Sequence, residues 1–155
     1  MANDAVIKLF ADDVKLFVAI SDCKSYISIQ HCLDNISNWS NQWQLNLSPT
    51  KCAVLSLGRK LNCFTYTINN TVIQHVDTFT DLGIIIDPLL KFDDHITSIC
   101  CKAKQRSALI LKCFSSRNLK LFFEKIKAFV TFVRTTLEFA SSVWSPSTVF
   151  LIDKN

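Results

Sequence analysis

Val6-Ile7-Lys8-Leu9-Phe10-Ala11-Asp12-Asp13-Val14-Lys15-Leu16-Phe17 is the stretch from which the fold is read. Two runs of β-prone residues flank a short polar centre, the pattern of an antiparallel hairpin. Alternation places Ile7 and Leu9 on one face of the first strand, and Leu16 and Val18 on one face of the return strand. The tip carries two carboxylates, Asp12 and Asp13. Side by side they repel, and each disfavours the other's ionised form. A divalent cation removes that objection, because Mg²⁺ takes hard oxygen ligands and is commonly held by one or two carboxylates plus substrate phosphates. Two such ions can clamp an in-line displacement at phosphorus. Ordinary turn chemistry, with aspartate serving only the backbone, is the competing reading.

Outward from the hairpin, Ser21 or Asp22 can cap a helix that runs to about Trp43. Ile29, Cys32, Leu33, Ile36, Trp39 and Trp43 follow its three-four spacing, so both tryptophans are expected in the core rather than as stacking platforms. A strand-rich stretch follows at Cys52 to Leu57, Phe64 to Ile68, Val72 to Val76 and Phe79 to Ile86. Asn69-Asn70 joins the second and third of these as a two-residue hairpin turn. Beyond Asp87-Pro88 the period becomes helical: Phe92, Ile96, Ile99, Ala103, Ile110 and Phe114 trace one stripe. Ser115 to Asn118 form a break, a second helix spans about Leu119 to Phe139, and Ser145-Pro146 starts a third. The expected fold class is α+β, with antiparallel strands and one packed helix over 1–90 and a helical subdomain over 91–155.

Composition narrows the function classes. With 49% hydrophobic and 19% charged residues, the 155-residue chain is neither disordered nor low-complexity. Two Gly and three Pro argue for long elements joined by few tight turns. A mean hydropathy of +0.23 is high for a small domain. Yet Lys120, Glu124, Lys125, Lys127, Arg134 and Glu138 interrupt the most apolar segment, so no membrane partner is expected. The apolar surplus is expected to face something beyond this chain, and the purified chain is expected to aggregate or bind hydrophobic dyes. Residues 1–100 hold seven Lys/Arg against ten Asp/Glu, whereas residues 101–155 hold ten against three. An acidic half followed by a basic half suits metal chemistry first and a polyanion contact second, or simply two solvated faces. The seven cysteines form no CxxC and meet no histidine at finger spacing, so a zinc site is not expected and an intracellular, reducing compartment is.

Phe10-Ala11-Asp12-Asp13 between two strands resembles the aromatic-x-Asp-Asp hairpin of reverse transcriptases, in the form found in non-LTR retrotransposons of the LINE and jockey type. The resemblance continues in order along nearly the whole chain. Trp39, Trp43, Leu45-Asn46 and Lys51-Cys52 resemble the fourth palm motif, and Asp81-Leu82-Gly83-Ile84 resembles the Leu-Gly turn that grips the primer end. Phe92, His95-Ile96 and Lys102-Ala103 look like the first thumb helix. Arg134, Leu137-Glu138-Phe139-Ala140-Ser141, Val143-Trp144 and Pro146 resemble the thumb signature.

The resemblance implies the C-terminal part of a polymerase palm over 1–90 and a thumb over 91–155. Asp12 would ligate catalytic Mg²⁺ with Asp13 assisting, and Lys51 would give a proton to the departing pyrophosphate, unless it is an ordinary loop lysine. Leu82 and Gly83 would be primer-grip-like, Gly83 allowing a turn or close approach, or else a strand bulge. Lys102, Lys104, Arg106, Lys112, Lys120 and Lys127 would meet nucleic acid, with Arg117, Lys125 and Arg134 in the same basic set. RNA template, DNA primer and deoxynucleoside triphosphates are the implied partners, together with N-terminal fingers and palm from the same polyprotein. A further aspartate-bearing strand is part of the family's palm. The only acidic residue before the hairpin is Asp4, so the chain is expected to be inactive alone. The alternatives are a decayed copy, or a non-catalytic nucleic-acid-binding remnant that uses the basic helices. His31, His75 and His95 show no ligand spacing and acquire no role.

Overall fold

The computed structural model describes residues 5–58, 64–114 and 118–145, so Asp4, Cys63, Arg117 and Pro146 lie outside the described residues. Two compact units divide the chain, Met1–Val76 and Asp77–Asn155. The elements are a mixture of helices and small two-stranded sheets, an α+β arrangement.

In the first unit, β1 (Val6–Phe10) and β2 (Asp13–Phe17) pair antiparallel, with Ile7 opposite Leu16 and Leu9 opposite Val14. They pair only with each other among the described strands, and their apolar side chains other than half-buried Leu16 stay in solvent, Leu9 at 71% exposure. Helix α1 (Cys23–Gln42) starts where expected: Asp22 has extended backbone and its carboxylate accepts the Ser25 N–H at 3.0 Å. That bond and the Ser25 hydroxyl hold the Asp22 carboxyl below its usual range.

The strand-rich stretch is shorter and more broken than the pattern predicts. A 3-10 turn (Pro49–Lys51) precedes β3 (Ala53–Leu55), and β4 (Thr67–Ile68) and β5 (Thr71–Val72) form a hairpin. Val72 to Val76 does not run as one strand. Ile73 turns inward between β5 and β6 (Gln74–Val76), is buried, and gives its N–H to the Tyr66 carbonyl at 2.8 Å. The expected antiparallel pairing holds for the β1–β2 and β4–β5 hairpins, but β3 and β6 are parallel. A parallel pair requires a long connection, and the chain between β3 and β6 includes the β4–β5 hairpin.

The core of this unit is Tyr26, Tyr66, Ile68 and Ile73, with Ile29, Leu33, Leu47, Cys52 and Val54 against it. Polar contacts fix α1 to β4. The Gln30 amide accepts the Thr67 N–H and donates to the Thr67 carbonyl, both at 3.0 Å, standing in for a neighbouring strand. Trp39 and Trp43 are not in this core and are 52% and 64% exposed. The buried seam of α1 runs instead through Tyr26, Ile29, Leu33, Ser37 and Ser40. Small serines on that seam leave room for close approach. Ser37 reaches the Asn69 side chain and Ser40 back-bonds to the Ser37 carbonyl. The predicted stripe therefore holds at Ile29 and Leu33 and fails at its C-terminal end, where serines rather than tryptophans face the core.

The second unit opens with β7 (Phe79–Asp81) and β8 (Ile84–Ile86), which pair antiparallel around Leu82-Gly83 rather than forming one strand across 79–86. Asp87 then shapes the entry to α2 (Asp93–Cys113). Its carboxylate accepts the N–H groups of Leu89 at 2.9 Å and Phe92 at 2.8 Å. Partial burial pushes its carboxyl up, but these N–H groups outweigh that and keep it below the usual range. The α2 stripe is as expected: Ile96, Ile99, Ala103 and Ile110 are buried, with Phe92 and Phe114 packed alongside. Ile84, Ile96, Ile99, Cys100 and Trp144 form one cluster, and Ala103, Ile110 and Val133 another. Ile84 and Ile86 pack on α2, so the β7–β8 hairpin sits in the helical unit.

The second helix is not regular. It consists of α3 (Leu119–Phe129), a π-helical turn (Val130–Arg134) and α4 (Thr135–Glu138). The inward residues are Ala128, Val133 and Leu137, a spacing of five and then four. An uninterrupted α-helix would have turned Phe132 inward; the extra residue of the π turn leaves it in solvent. A short α5 (Ser141–Trp144) follows, ending where the sequence suggested a helix would begin at Ser145. Trp144 is buried and its indole N–H donates to the Phe139 carbonyl at 2.7 Å.

Candidate catalytic hairpin and nucleic-acid interface

The β1–β2 turn is two residues long, Ala11-Asp12, and Asp13 is the first residue of β2, paired with Phe10. Ala11 sits at φ +52°, in the left-handed region that glycine favours. Both aspartates are exposed, so their oxygens are open to solvent and ligand. Two adjacent hard carboxylates on an open tip fit the protein share of a Mg²⁺ site in which phosphates and water complete the octahedron. Among the described residues, no group of three or more His, Cys, Asp or Glu gathers to hold a metal by protein ligands alone. Lys51 closes the 3-10 turn and is exposed.

At the second turn, Leu82 (φ +47°) and Gly83 (φ +87°) are both left-handed, the type I′ geometry of a tight hairpin rather than a strand bulge. A methyl group at Gly83 would meet only Phe139 Cε1, at 3.5 Å, so its glycine answers to backbone conformation and not to crowding. Leu82 pays strain there with an exposed side chain. The Asn69-Asn70 turn also has positive φ at both positions, +49° and +61°, but uses the residue type that tolerates it. Replacing Leu82 by Asn is therefore expected to stabilise the second unit by about 0.5–1 kcal/mol. Urea unfolding checks this, and a lowered midpoint would mean that the leucine side chain contributes packing that outweighs its strain.

The basic residues are not equivalent. Lys102, Lys104, Lys112 and Lys120 are exposed. At about 100° per residue, Lys104 lies across the helix from Lys102, so α2 presents charge on both flanks of its buried stripe. Arg106 instead braces the π turn: its guanidinium donates to the Phe132 carbonyl at 3.1 Å and to the Thr136 hydroxyl. Lys127 pairs with Glu124 at 2.9 Å and Arg134 with Glu138 at 2.6 Å. The latter contact raises the Arg134 pKa further. These are exposed pairs that leave the charge available to a polyanion.

The histidines that sequence reasoning left without roles each hold a contact. The His31 ring meets the Asn35 amide at 3.2 Å, and His75 Nε2 donates to the Phe64 carbonyl at 2.9 Å. His95 is buried in the second unit, where its Nδ1 accepts the Ile85 N–H at 3.3 Å. No spacing signal could have found these, because each partner is a backbone or amide group. Cys32, Cys52, Cys101 and Cys113 are free thiols, and none of the described helices is long and apolar enough to cross a membrane.

Among curated proteins, the RNA-directed DNA polymerase from the mobile element jockey of Drosophila funebris is 26% identical over 145 residues. That covers 92% of this chain and 16% of the polymerase. The protein of the same name from Drosophila melanogaster is 28% identical over 99 residues, which is 63% of this chain and 11% of the relative. The chain thus spans less than a fifth of the length of the curated relatives it matches. No family model matches the sequence, and no solved structure matches it.

Proposed function

We propose that this chain, a relative of jockey RNA-directed DNA polymerases over most of its length, is the stretch of a non-LTR reverse transcriptase that carries the catalytic hairpin, the end of the palm and the thumb. The observation that carries the reading is the exposed Asp12-Asp13 pair at a two-residue hairpin tip, in a sequence related to polymerases of that name. An exposed acidic tip of this kind favours the polymerase over a non-catalytic remnant, which has no use for it. Palm and thumb correspond in this reading to residues before and after about 90, although the β7–β8 hairpin packs with the helices that follow it.

Magnesium bound at the tip would neutralise the triphosphate and steady the attacking and leaving oxygens. Asp12 and Asp13 supply two hard donors and leave the remaining positions to phosphate and water. Lys51 supplies a mobile cation able to give a proton to departing pyrophosphate. Leu82 and Gly83 present a tight, exposed turn to the primer end. Lys102, Lys104, Lys112 and Lys120 meet the phosphates of the RNA template and DNA primer, with Arg106 and Lys127 placed on the same helices. The remainder of the polymerase supplies the fingers and the other metal-binding strand.

Two measurements test the reading directly. Manganese titrated into the purified chain as a paramagnetic stand-in is expected to broaden the amide signals of residues 10–14, and Asp12→Asn with Asp13→Asn to abolish the effect. Uniform broadening, or none, would remove the metal assignment. Binding to an RNA–DNA hybrid is expected to weaken steeply with salt, and each of Lys102→Ala, Lys104→Ala and Lys112→Ala to lower the slope of log K against log salt by about 1 where that residue contacts phosphate. Slopes unchanged by all three would place the interface elsewhere.

A further inference from the structure

We propose that His95 is a proton-operated positioning residue for the Leu82-Gly83 turn: as a neutral imidazole it holds the Ile85 N–H, and taking up a proton releases β8 from α2. The inference stands on the geometry of the second unit and does not depend on the polymerase reading.

His95 is 2% exposed and lies in the first turns of α2. Its Nδ1 accepts the backbone N–H of Ile85 at 3.3 Å, which places the proton of the neutral ring on Nε2. Nε2 is buried and finds no hydrogen-bond partner among the described residues. Trp144 covers the ring edge-on, with centroids 5.4 Å apart and planes at 65°. Ile85 is two residues beyond Gly83, so this bond joins the packing of Ile84 and Ile86 in tying the return strand of the β7–β8 hairpin to the helix.

An imidazolium cannot occupy the same place. Both of its nitrogens donate, so a proton on Nδ1 would point at the Ile85 N–H, donor against donor. The charge would also sit beside Trp144 and next to buried Ile96. The surroundings offer little relief. β8 is three isoleucines, and α5 has no charged side chain. Asp81 ends β7, and both oxygens of the Asp87 carboxylate are already taken by the N–H groups of Leu89 and Phe92. On α2, Asp93 and Asp94 are exposed and Lys102 is positive; on α4, Glu138 is exposed and pairs with Arg134. Burial first, and then the Lys102 charge, lower the His95 pKa below its ordinary 6.5.

The sign of the pH dependence follows. The unfolded chain takes up a proton near pH 6.5, before the folded chain does. The contribution of the neutral latch is complete above that pH and is lost as pH falls through the lower folded value. Acidification therefore loosens the turn, and neutral pH fixes it.

The test is amide hydrogen exchange of the full chain, with the His95 ring followed by NMR from pH 7.5 to 4.5. The protection factor of Ile85 is expected to fall at least tenfold as the ring titrates, at a midpoint below 6.5, while that of Ile68 in the first unit is unchanged. His95→Gln retains an acceptor that takes no proton and is expected to hold Ile85 protected across the range. Protection of Ile85 that ignores the titration of His95, or a ring that titrates at 6.5 or above, overturns the proposal. So does a Gln variant that loses protection at the same pH as the parent protein.

Discussion

Placing this stretch in a jockey-type polymerase in exchange for the matching segment, and then changing Asp12 to Asn, is expected to lower template-dependent nucleotide incorporation by roughly 10³-fold or more. The magnitude follows from the role proposed for the residue. A metal ion at the reacting phosphate contributes several kcal/mol of charge stabilisation, and each 1.4 kcal/mol is a factor of ten in rate. Asn keeps the size and the hairpin turn but loses the negative charge that offsets the cation. The turn is exposed and its ladder is backbone-bonded, so the substitution leaves the fold intact. Asp34→Asn on the exposed face of α1 is the control, expected to leave incorporation unchanged. Equal activity of the Asp12→Asn and parent chimaeras would end the catalytic assignment of the hairpin. The isolated chain is expected to incorporate nothing, because no third protein ligand joins the pair among the described residues.

Ile96→Ala is expected to destabilise the second unit by about 3–5 kcal/mol, through lost burial plus the cavity left behind. Ile96 of α2 is fully buried at 0% exposure and shares the principal cluster with Ile84 of β8 and with Trp144. A small unit has only some 5–15 kcal/mol in total, so this one side chain decides whether the helical part is folded. The buried Trp144 indole N–H, bonded to the Phe139 carbonyl, gives a local signal for urea unfolding that Trp39 and Trp43 do not share. Phe123→Ala on the exposed face of α3 is the counterpart and is expected to cost under about 0.5 kcal/mol. A wild-type midpoint for Ile96→Ala would mean that the core lies elsewhere.

Every large apolar residue of α3, Leu119, Leu121, Phe122, Phe123, Ile126 and Phe129, is exposed. The sequence marks Leu119 to Trp144 as the most apolar segment and predicts apolar surface facing something beyond this chain, but it does not indicate which side chains face outward. The π turn determines that choice. By shifting the inward set to Ala128, Val133 and Leu137, it turns small and branched side chains toward α2 and leaves the phenylalanines outside.

By itself the sequence determined what depends on neighbours along the chain. The alternation around Asp12-Asp13 was enough for the hairpin, because two short strands joined by two residues have one register. The Asp22 cap and the stripe from Phe92 to Phe114 were equally legible, since capping and helical period are local. Few tight turns were expected from two glycines, yet eight described non-glycine residues take positive φ, Ala11 and Leu82 among them. Turn conformation is imposed by the strands on either side, and a bulky residue can be forced to comply. Tertiary structure alone decided which side chains are buried at the C-terminal end of α1, the parallel pairing of β3 with β6, the π turn, and the latch at His95. Each depends on how closely two distant segments approach, and that distance is set by packing between side chains that no local period relates.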